Sequence, residues 1–264
     1  MKLSMDIVDA FTCRQFKGNS AAVILLDEWL STDLMQSIAM ENNLSETAFV
    51  VQRVADYHIR WFSPLTEIDF CGHATLAASS VLFKQVPAIS KLTIFAEAVG
   101  ALTIIKKADG SIQMDFPNRM PSPVAQIPVT LLEGLSAQPA KVLRNDQAYF
   151  AIFNDVSTVK SLETNSELLK QLAPYDVVVS APDSGQEYDF ISRYFWPANG
   201  GDEDPVTGSI HTGLGPYWAQ ELGINSLTAY QASKRGGVLF CQVTEERVLI
   251  SGHAVHYLNR TITV

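Results

Sequence analysis

The sequence predicts an α+β fold of two similar, pseudo-symmetric lobes, each a curved, barrel-like β-sheet around a central helix. Three observations carry that expectation. The chain repeats itself: Arg60-Trp61-Phe62-Ser63-Pro64 recurs as Arg193-Tyr194-Phe195-Trp196-Pro197, and Leu92-Thr93-Ile94-Phe95 recurs as Leu227-Thr228-Ala229-Tyr230, in the same order. A glycine-centred turn follows each copy of the first motif, Cys71-Gly72-His73-Ala74-Thr75 in one case and Val206-Thr207-Gly208-Ser209 in the other. Each turn opens a helix-length segment rich in small residues, set among short apolar or alternating runs that read as strands. Two similar lobes would carry two similar turns, and a cleft between lobes is a natural place for chemistry.

Taken in order, Met5–Phe11, Val23–Leu26, Thr47–Val51, His58–Phe62, Lys91–Phe95, Ala101–Lys106 and Ser111–Phe116 read as strands of the first half. Ser31–Asn42 reads as a helix capped by Ser31 or Thr32, with Leu34 and Ile38 on its apolar side. His73–Lys84 reads as a second helix, small nearly all round, which predicts a helix wrapped by a sheet. Pro117, Pro121, Pro123 and Pro128 make Phe116–Pro128 the best linker, since proline interrupts both ladders and helices. The second half reads as a helix near Val129–Gly134, a helix over Ser161–Leu172, and a helix near Ser209–Leu222 that Pro216 is expected to kink. Its strands are read near Lys141–Val142, Ala148–Phe153, Asp176–Ser180, Asp189–Phe195, Leu227–Gln231, Gly237–Val243, Arg247–Ser251 and His253–Asn259. The expected lobes are 1–117 and 118–255, with about 256–264 returning to the first as a strand.

Composition narrows the function. The chain has 264 residues, 47% hydrophobic and 18% charged, an ordinary globular balance. A net charge of −9 argues against nucleic acid or an anionic membrane as partner, since both call for basic patches. Asp6 and Asp9 break the apolar N-terminal stretch, so a secretory leader is not expected, and no apolar run is long enough to span a bilayer. Cys13, Cys71 and Cys241 are odd in number and widely spaced, which suits a reducing cytoplasm and no zinc spacing. No metal site is expected, and the absence of GxGxxG or Walker-type loops gives a nucleotide fold little support.

The two glycine turns are the first candidate site. The N–H groups that open a helix have no internal partners and lie in a positive dipole field, so two such turns facing one cleft would bind a carboxylate. A single glycine turn would need no such explanation, because glycine also simply fits a tight turn. Glu46 lies in the run Asn43-Leu44-Ser45-Glu46-Thr47-Ala48-Phe49 and is otherwise surrounded by apolar or small residues. A buried carboxylate there would be a stronger base suited to moving a proton, although a solvated loop glutamate is the commoner case. Asp204-Pro205-Val206-Thr207-Gly208-Ser209 offers a carboxylate and two hydroxyls at a helix start, or simply an acidic cap. His73, in the first turn of its helix, reads equally as proton carrier or cap.

These stretches resemble the PhzF-like phenazine-biosynthesis isomerase family and, more distantly, diaminopimelate epimerase. The resemblance rests on Asp9-Ala10-Phe11-Thr12, Phe16-Lys17-Gly18-Asn19, Asn43 to Phe49, Arg60 to Pro64, Cys71 to Leu76 and Glu203 to Ser209, in family order over most of the chain. It implies a cofactor-independent isomerase, a diaminopimelate epimerase-like fold and a homodimer. It carries the proton-moving role to Glu46 and supporting catalytic roles to His73, Asp204 and Ser209. It carries substrate binding to Asn19, Ser45, Gly72, Thr207 and Gly208. The substrate would be a small carboxylate-bearing molecule; in the founding member of the family it is a dihydro-hydroxyanthranilate. The related epimerase uses two opposed cysteines. Cys71 stands in the place of the first, while the second falls on Pro205 or Thr207, depending on register. Two rival readings stand beside the isomerase: an amino-acid epimerase assisted by Cys71, and a non-catalytic carboxylate-binding protein.

Overall fold

In a computed structural model that describes residues 1–54, 56–183 and 187–264, the chain forms two compact units. One is Met1–Phe116 with Ser251–Val264, the other Pro117–Ile250. Both are α+β and rich in strand.

In the first unit β1 (Lys2–Ala10) turns back into β2 (Asn19–Leu26), and α1 (Thr32–Asn42) crosses over so that β3 (Glu46–Gln52) lies parallel to β2. Then β4 (Tyr57–Phe62) returns antiparallel to β3, and the two-residue β5 (Glu67–Ile68) pairs with its end. The central helix α2 (Gly72–Gln85) leads into β6 (Lys91–Ala96), β7 (Gly100–Lys106) and β8 (Ile112–Pro117). Strand β2 is apolar on both faces because both faces are covered. Ala22, Ile24 and Leu26 pack with Met35, Ile38 and Ala39 of α1 and with Phe49, Val51 and Phe62. Ala21 and Val23 alternate with them and are also buried, on the side of α2. The small residues of α2 have the predicted consequence: 11 of its 14 residues are buried. Ser31 caps α1 by accepting from Leu34 N, and Asn43 ends it in the left-handed region at φ 50°.

The second unit runs β9 (Ser122–Pro123), α3 (Val129–Glu133), β10 (Lys141–Arg144), β11 (Ala148–Ile152), α4 (Val156–Ser161) and α5 (Ser166–Leu169). It continues with β12 (Asp176–Pro182), β13 (Phe190–Trp196), β14 (Gly201–Asp204), α6 (His211–Leu222), β15 (Ser226–Gln231), β16 (Gly237–Val243) and β17 (Arg247–Gly252). A core including Leu131, Val159, Leu169, Val177, Val179, Ile191 and Phe195 lies under α3, α4 and α5.

Three elements differ from the sequence reading. The helix expected over Ser161–Leu172 is α4, then α5 with a following 3₁₀ turn at Lys170–Leu172. Leu162 leaves the helical region, Thr164 makes a bridge to Leu135, and Asn165 starts a new helix by accepting from Glu167 N and Leu168 N. The strand read at His253–Asn259 is β18 (Ala254–Thr263), and it pairs with β1 in the first unit rather than completing the second. The helix read from near Ser209 begins at His211, after a 3₁₀-type entry in which His211 N, Thr212 N and Gly213 N donate to the carbonyls of Gly208, Ser209 and Ile210. Pro216 sits inside α6. It cannot donate to Thr212 O four residues earlier, and that carbonyl is taken instead by Arg119 N at 3.0 Å.

The repeated Arg-x-Phe motif has a common physical basis in both units. Arg60 grips Glu67 through Nε and Nη2, each at 2.6 Å, and lies 5.2 Å from the Phe62 ring. Arg193 grips Glu203 at 2.8 and 3.1 Å and lies 5.0 Å from the Phe195 ring. Residues two apart on a strand share a face, so arginine and phenylalanine stack there, and the glutamate opposite the phenylalanine holds the short returning strand.

Gly213 lets α6 approach its sheet: a Cβ there would stand 2.6 Å from Phe150 Cζ. Gly213→Ala is expected to destabilise the protein by about 1–3 kcal/mol through overpacking, read as a lower midpoint in urea denaturation with an unchanged slope.

Candidate active site

The first unit gathers five of the sequence candidates or their neighbours around one histidine. Gly18 is where this begins. At φ +67° a Cβ would lie 2.1 Å from Ala10 O, so only glycine lets the chain fold back tightly and open β2 at Asn19. Glu46 opens the parallel strand beside it, in register with Ala21. His73 lies in the first turn of α2 and is buried with Cys71 at the N-cap. Cys71 offers no side-chain hydrogen bond to that helix end.

His73 Nε2 lies 2.8 Å from Glu46 Oε2, and the two side chains are 5% and 6% exposed. The two groups form a buried ion-pair contact, and among the described residues no donor other than His73 reaches Glu46 Oε2. On the other side of the ring, Asn19 Nδ2 is 3.1 Å from Nδ1, and Ser45 Oγ donates to Asn19 Oδ1 at 3.1 Å. With a neutral ring protonated at Nε2, the Asn19 amide donates to Nδ1. An imidazolium instead needs an acceptor at Nδ1, which the amide oxygen would supply.

Burial opposes a charge on His73, but the neighbouring Cys71 and Glu46 outweigh it and hold the imidazole well above its ordinary 6.5. Burial, with the Glu46 charge, pushes the Cys71 thiol up to about 11. At neutral pH Cys71 is therefore a thiol that meets the ring as a hydrogen-bond partner, and Glu46 is the charge left to stabilise the imidazolium. Cys71 Sγ lies 3.4 Å from His73 Nδ1. Ligand-type atoms of Glu46, Cys71 and His73 fall within 4.8 Å of one another. A cation there would take Cys71 as the thiolate, its own charge displacing the thiol proton.

The second unit holds the other candidates. The Asp204 carboxylate accepts from the Thr207 hydroxyl. Gln231 ties this turn down: its Oε1 accepts from Thr207 N at 2.9 Å and its Nε2 donates to Asp204 O at 2.9 Å. Thr207 N–H is thus already committed. Ser209 Oγ accepts from Gln147 Nε2 at 2.9 Å. His211 Nδ1 donates to Thr207 O at 2.8 Å, and burial pushes this ring down to about 4, so it stays neutral. Gly72 and Gly208 are both buried, the first opening α2 and the second in the entry turn of α6.

Sequence reasoning missed Gln147, Tyr194, Asp176 and Gln231. One signal could have found Asp176. Thr47 pairs with Phe62 and Val177 with Phe195, so Glu46 and Asp176 occupy the same place in the repeat, each opening an apolar strand. The same register settles the cysteine question. Cys71 and Thr207 each follow the equivalent glutamates, Glu67 and Glu203, at the same distance, so the counterpart of Cys71 is a threonine.

The fold and the Glu46–His73 pair define a class in which a buried acid and histidine sit at the mouth of a helix wrapped by a sheet. A family model described as phenazine biosynthesis-like protein matches residues 8–260. A Pseudomonas aeruginosa protein named an uncharacterized isomerase is 47% identical over 99% of both chains. A crystal structure of a PhzF-family phenazine biosynthesis protein from Enterococcus faecalis is 40% identical, with a TM-score of 0.94 over the whole of both chains. A hydroxyproline epimerase from Agrobacterium vitis shares the fold at a TM-score of 0.65 and 10% identity, covering 99% of this chain and 92% of its own. The chain belongs to the phenazine biosynthesis-like, PhzC–PhzF family. Among the described residues, no helix is long and apolar enough to cross a membrane.

Because folding raises the proton affinity of His73, its contribution to stability is complete below 6.5 and is lost as pH rises through the raised value. An NMR titration should therefore find His73 still protonated above pH 6.5. In Glu46→Gln the midpoint should fall, because burial then acts with less opposition. An unchanged midpoint would remove Glu46 as the source of the charge.

Proposed function

We propose that this protein is a cofactor-independent isomerase that moves a proton within a small carboxylate-bearing substrate, with Glu46 as general acid and base. The carrying observation is the buried carboxylate of Glu46, whose Oε2 sits 2.8 Å from His73 Nε2. A carboxylate oxygen so placed has a lone pair to offer a substrate C–H proton. Glu46 removes the proton beside an electron-withdrawing group, the electron pair shifts along the conjugated substrate, and Glu46, after exchange with solvent, delivers one proton at another carbon. Nothing is gained or lost, so the reaction is an isomerisation. His73 balances the charge as the proton leaves and returns, and its Asn19–Ser45 support tolerates either state.

Membership of the family and relatives named as isomerases support the reaction class. Asp204, Thr207, Gly208 and Ser209 of the second unit, with Gly72 of the first, are proposed as further substrate contacts on the strength of the family motif. A cytoplasmic homodimer is proposed on the same ground; sedimentation at twice the chain mass would agree with it, and a monomer would not. The cysteine-assisted epimerase is the weaker reading, because Cys71 is a protonated thiol whose repeat counterpart is Thr207.

Dihydro-hydroxyanthranilate is the first compound to assay. Glu46→Gln should lower turnover by about 10²-fold or more, the scale of a general acid–base group, with ligand affinity nearly unchanged. Cys71→Ala should be much milder. A dead Cys71→Ala enzyme beside an active Glu46→Gln enzyme would shift the assignment to the thiol. Tight binding with no turnover of any carboxylate tested would favour a binding protein.

A further inference from the structure

The second unit carries a hydrogen-bonded chain at the positions where the first carries its acid and histidine. Asp176 is the repeat counterpart of Glu46, and Tyr194 that of Trp61. Ser209 follows Gly208 as His73 follows Gly72. In the first unit, acid and histidine are in direct contact. In the second unit, Tyr194 OH donates to Asp176 Oδ2, Asn199 Nδ2 donates to Asp176 Oδ1 at 2.8 Å, and Gln147 Nε2 donates both to Tyr194 OH at 3.0 Å and to Ser209 Oγ at 2.9 Å.

The direction of each bond follows from what each group can do. Asp176 and Tyr194 are almost fully buried. Burial, with the Asp176 charge, holds the Tyr194 phenol well above 10, so it keeps its proton and gives it to Asp176. Its oxygen is then left to accept, so the Gln147 atom that faces it is the Nε2 donor and not the Oε1 acceptor. Gln147 Nε2 has two hydrogens, and both are used. Ser209 Oγ therefore receives a hydrogen bond, and its own proton must point elsewhere. A primary amide does not relay protons under these conditions, so the chain is an orienting device and not a second proton path.

We infer that Gln147 is a positioning residue: held by the Tyr194–Asp176 pair, it fixes the Ser209 hydroxyl as a hydrogen-bond donor toward the substrate. This rests on the reading, proposed above, that Ser209 contacts substrate.

Substitutions at Gln147 and Tyr194 test it. In the free wild-type protein, NMR couplings of Ser209 should show one χ1 rotamer. Gln147→Leu should leave Ser209 averaging among rotamers, and Tyr194→Phe should do the same in part, with the chemical shifts of the remaining fold unchanged. Gln147→Glu supplies the readout that a structural role would not move. Its carboxylate accepts from Ser209 and turns the donor away, while its protonated form can donate again. Affinity for hydroxyanthranilate, the aromatic probe, should therefore fall as pH rises through the titration of that new carboxyl, by about 5- to 10-fold for one hydrogen bond, and the wild type should lack this limb. A fixed Ser209 rotamer in Gln147→Leu, or wild-type pH dependence in Gln147→Glu, overturns the inference. Failure of the parent reading looks different: Ser209→Ala would bind and turn over like the wild type, or hydroxyanthranilate would not bind at all, while the rotamer measurement still decides the role of Gln147.

Discussion

Two ionisable groups, Glu46 and His73, share a site from which water is nearly absent. Burying either alone would be costly, because a carboxylate or an imidazolium loses its hydration and gains little in return. Glu46 helps to hold the charged form of His73, and the local structure is arranged to keep the two together. Gly18 bends the chain to place Asn19 against the back of the imidazole. The parallel β2–β3 pairing presents Glu46 at the start of its strand, and the small residues of α2 let the helix that carries His73 sink into the sheet. The contact that results is close.

The internal repeat keeps its scaffold and changes its chemistry. Arg60–Glu67 with Phe62, and Arg193–Glu203 with Phe195, hold the same short strand in both units. At the equivalent of Glu46 the second unit has Asp176, one methylene shorter and separated from Ser209 by a phenol and an amide. Shortening the acid and inserting neutral groups converts an acid–base pair into a set of fixed dipoles. On the proposed reading, one half of the duplication moves a proton and the other holds a donor in place.

Much of this was legible in the sequence because it depends on patterns of one or two residues. Arg-x-Phe and the run of alanines and serines each correspond to a local physical need, and each stands in the structure with that need met. What was not legible depends on register. Asp176 was read only as the start of a strand, and Gln147 and Tyr194 were passed over, because nothing nearby in sequence shows which strands exchange neighbours. The break after α4 depends on a bridge between Leu135 and Thr164, and the attachment of β18 to β1 on a ladder between opposite ends of the chain. The Pro216 position looked like a kink alone, because the donor that replaces its missing N–H comes from Arg119, nearly a hundred residues away in sequence.

The central claim is that Glu46 carries the proton. The most direct measurement is solvent deuterium incorporation into dihydro-hydroxyanthranilate and its product, followed by mass spectrometry with wild-type and Glu46→Gln protein at equal ligand occupancy. The account predicts exchange at the reacting carbon with the wild-type protein and none above background with Glu46→Gln. Exchange at the wild-type rate in the variant would contradict it.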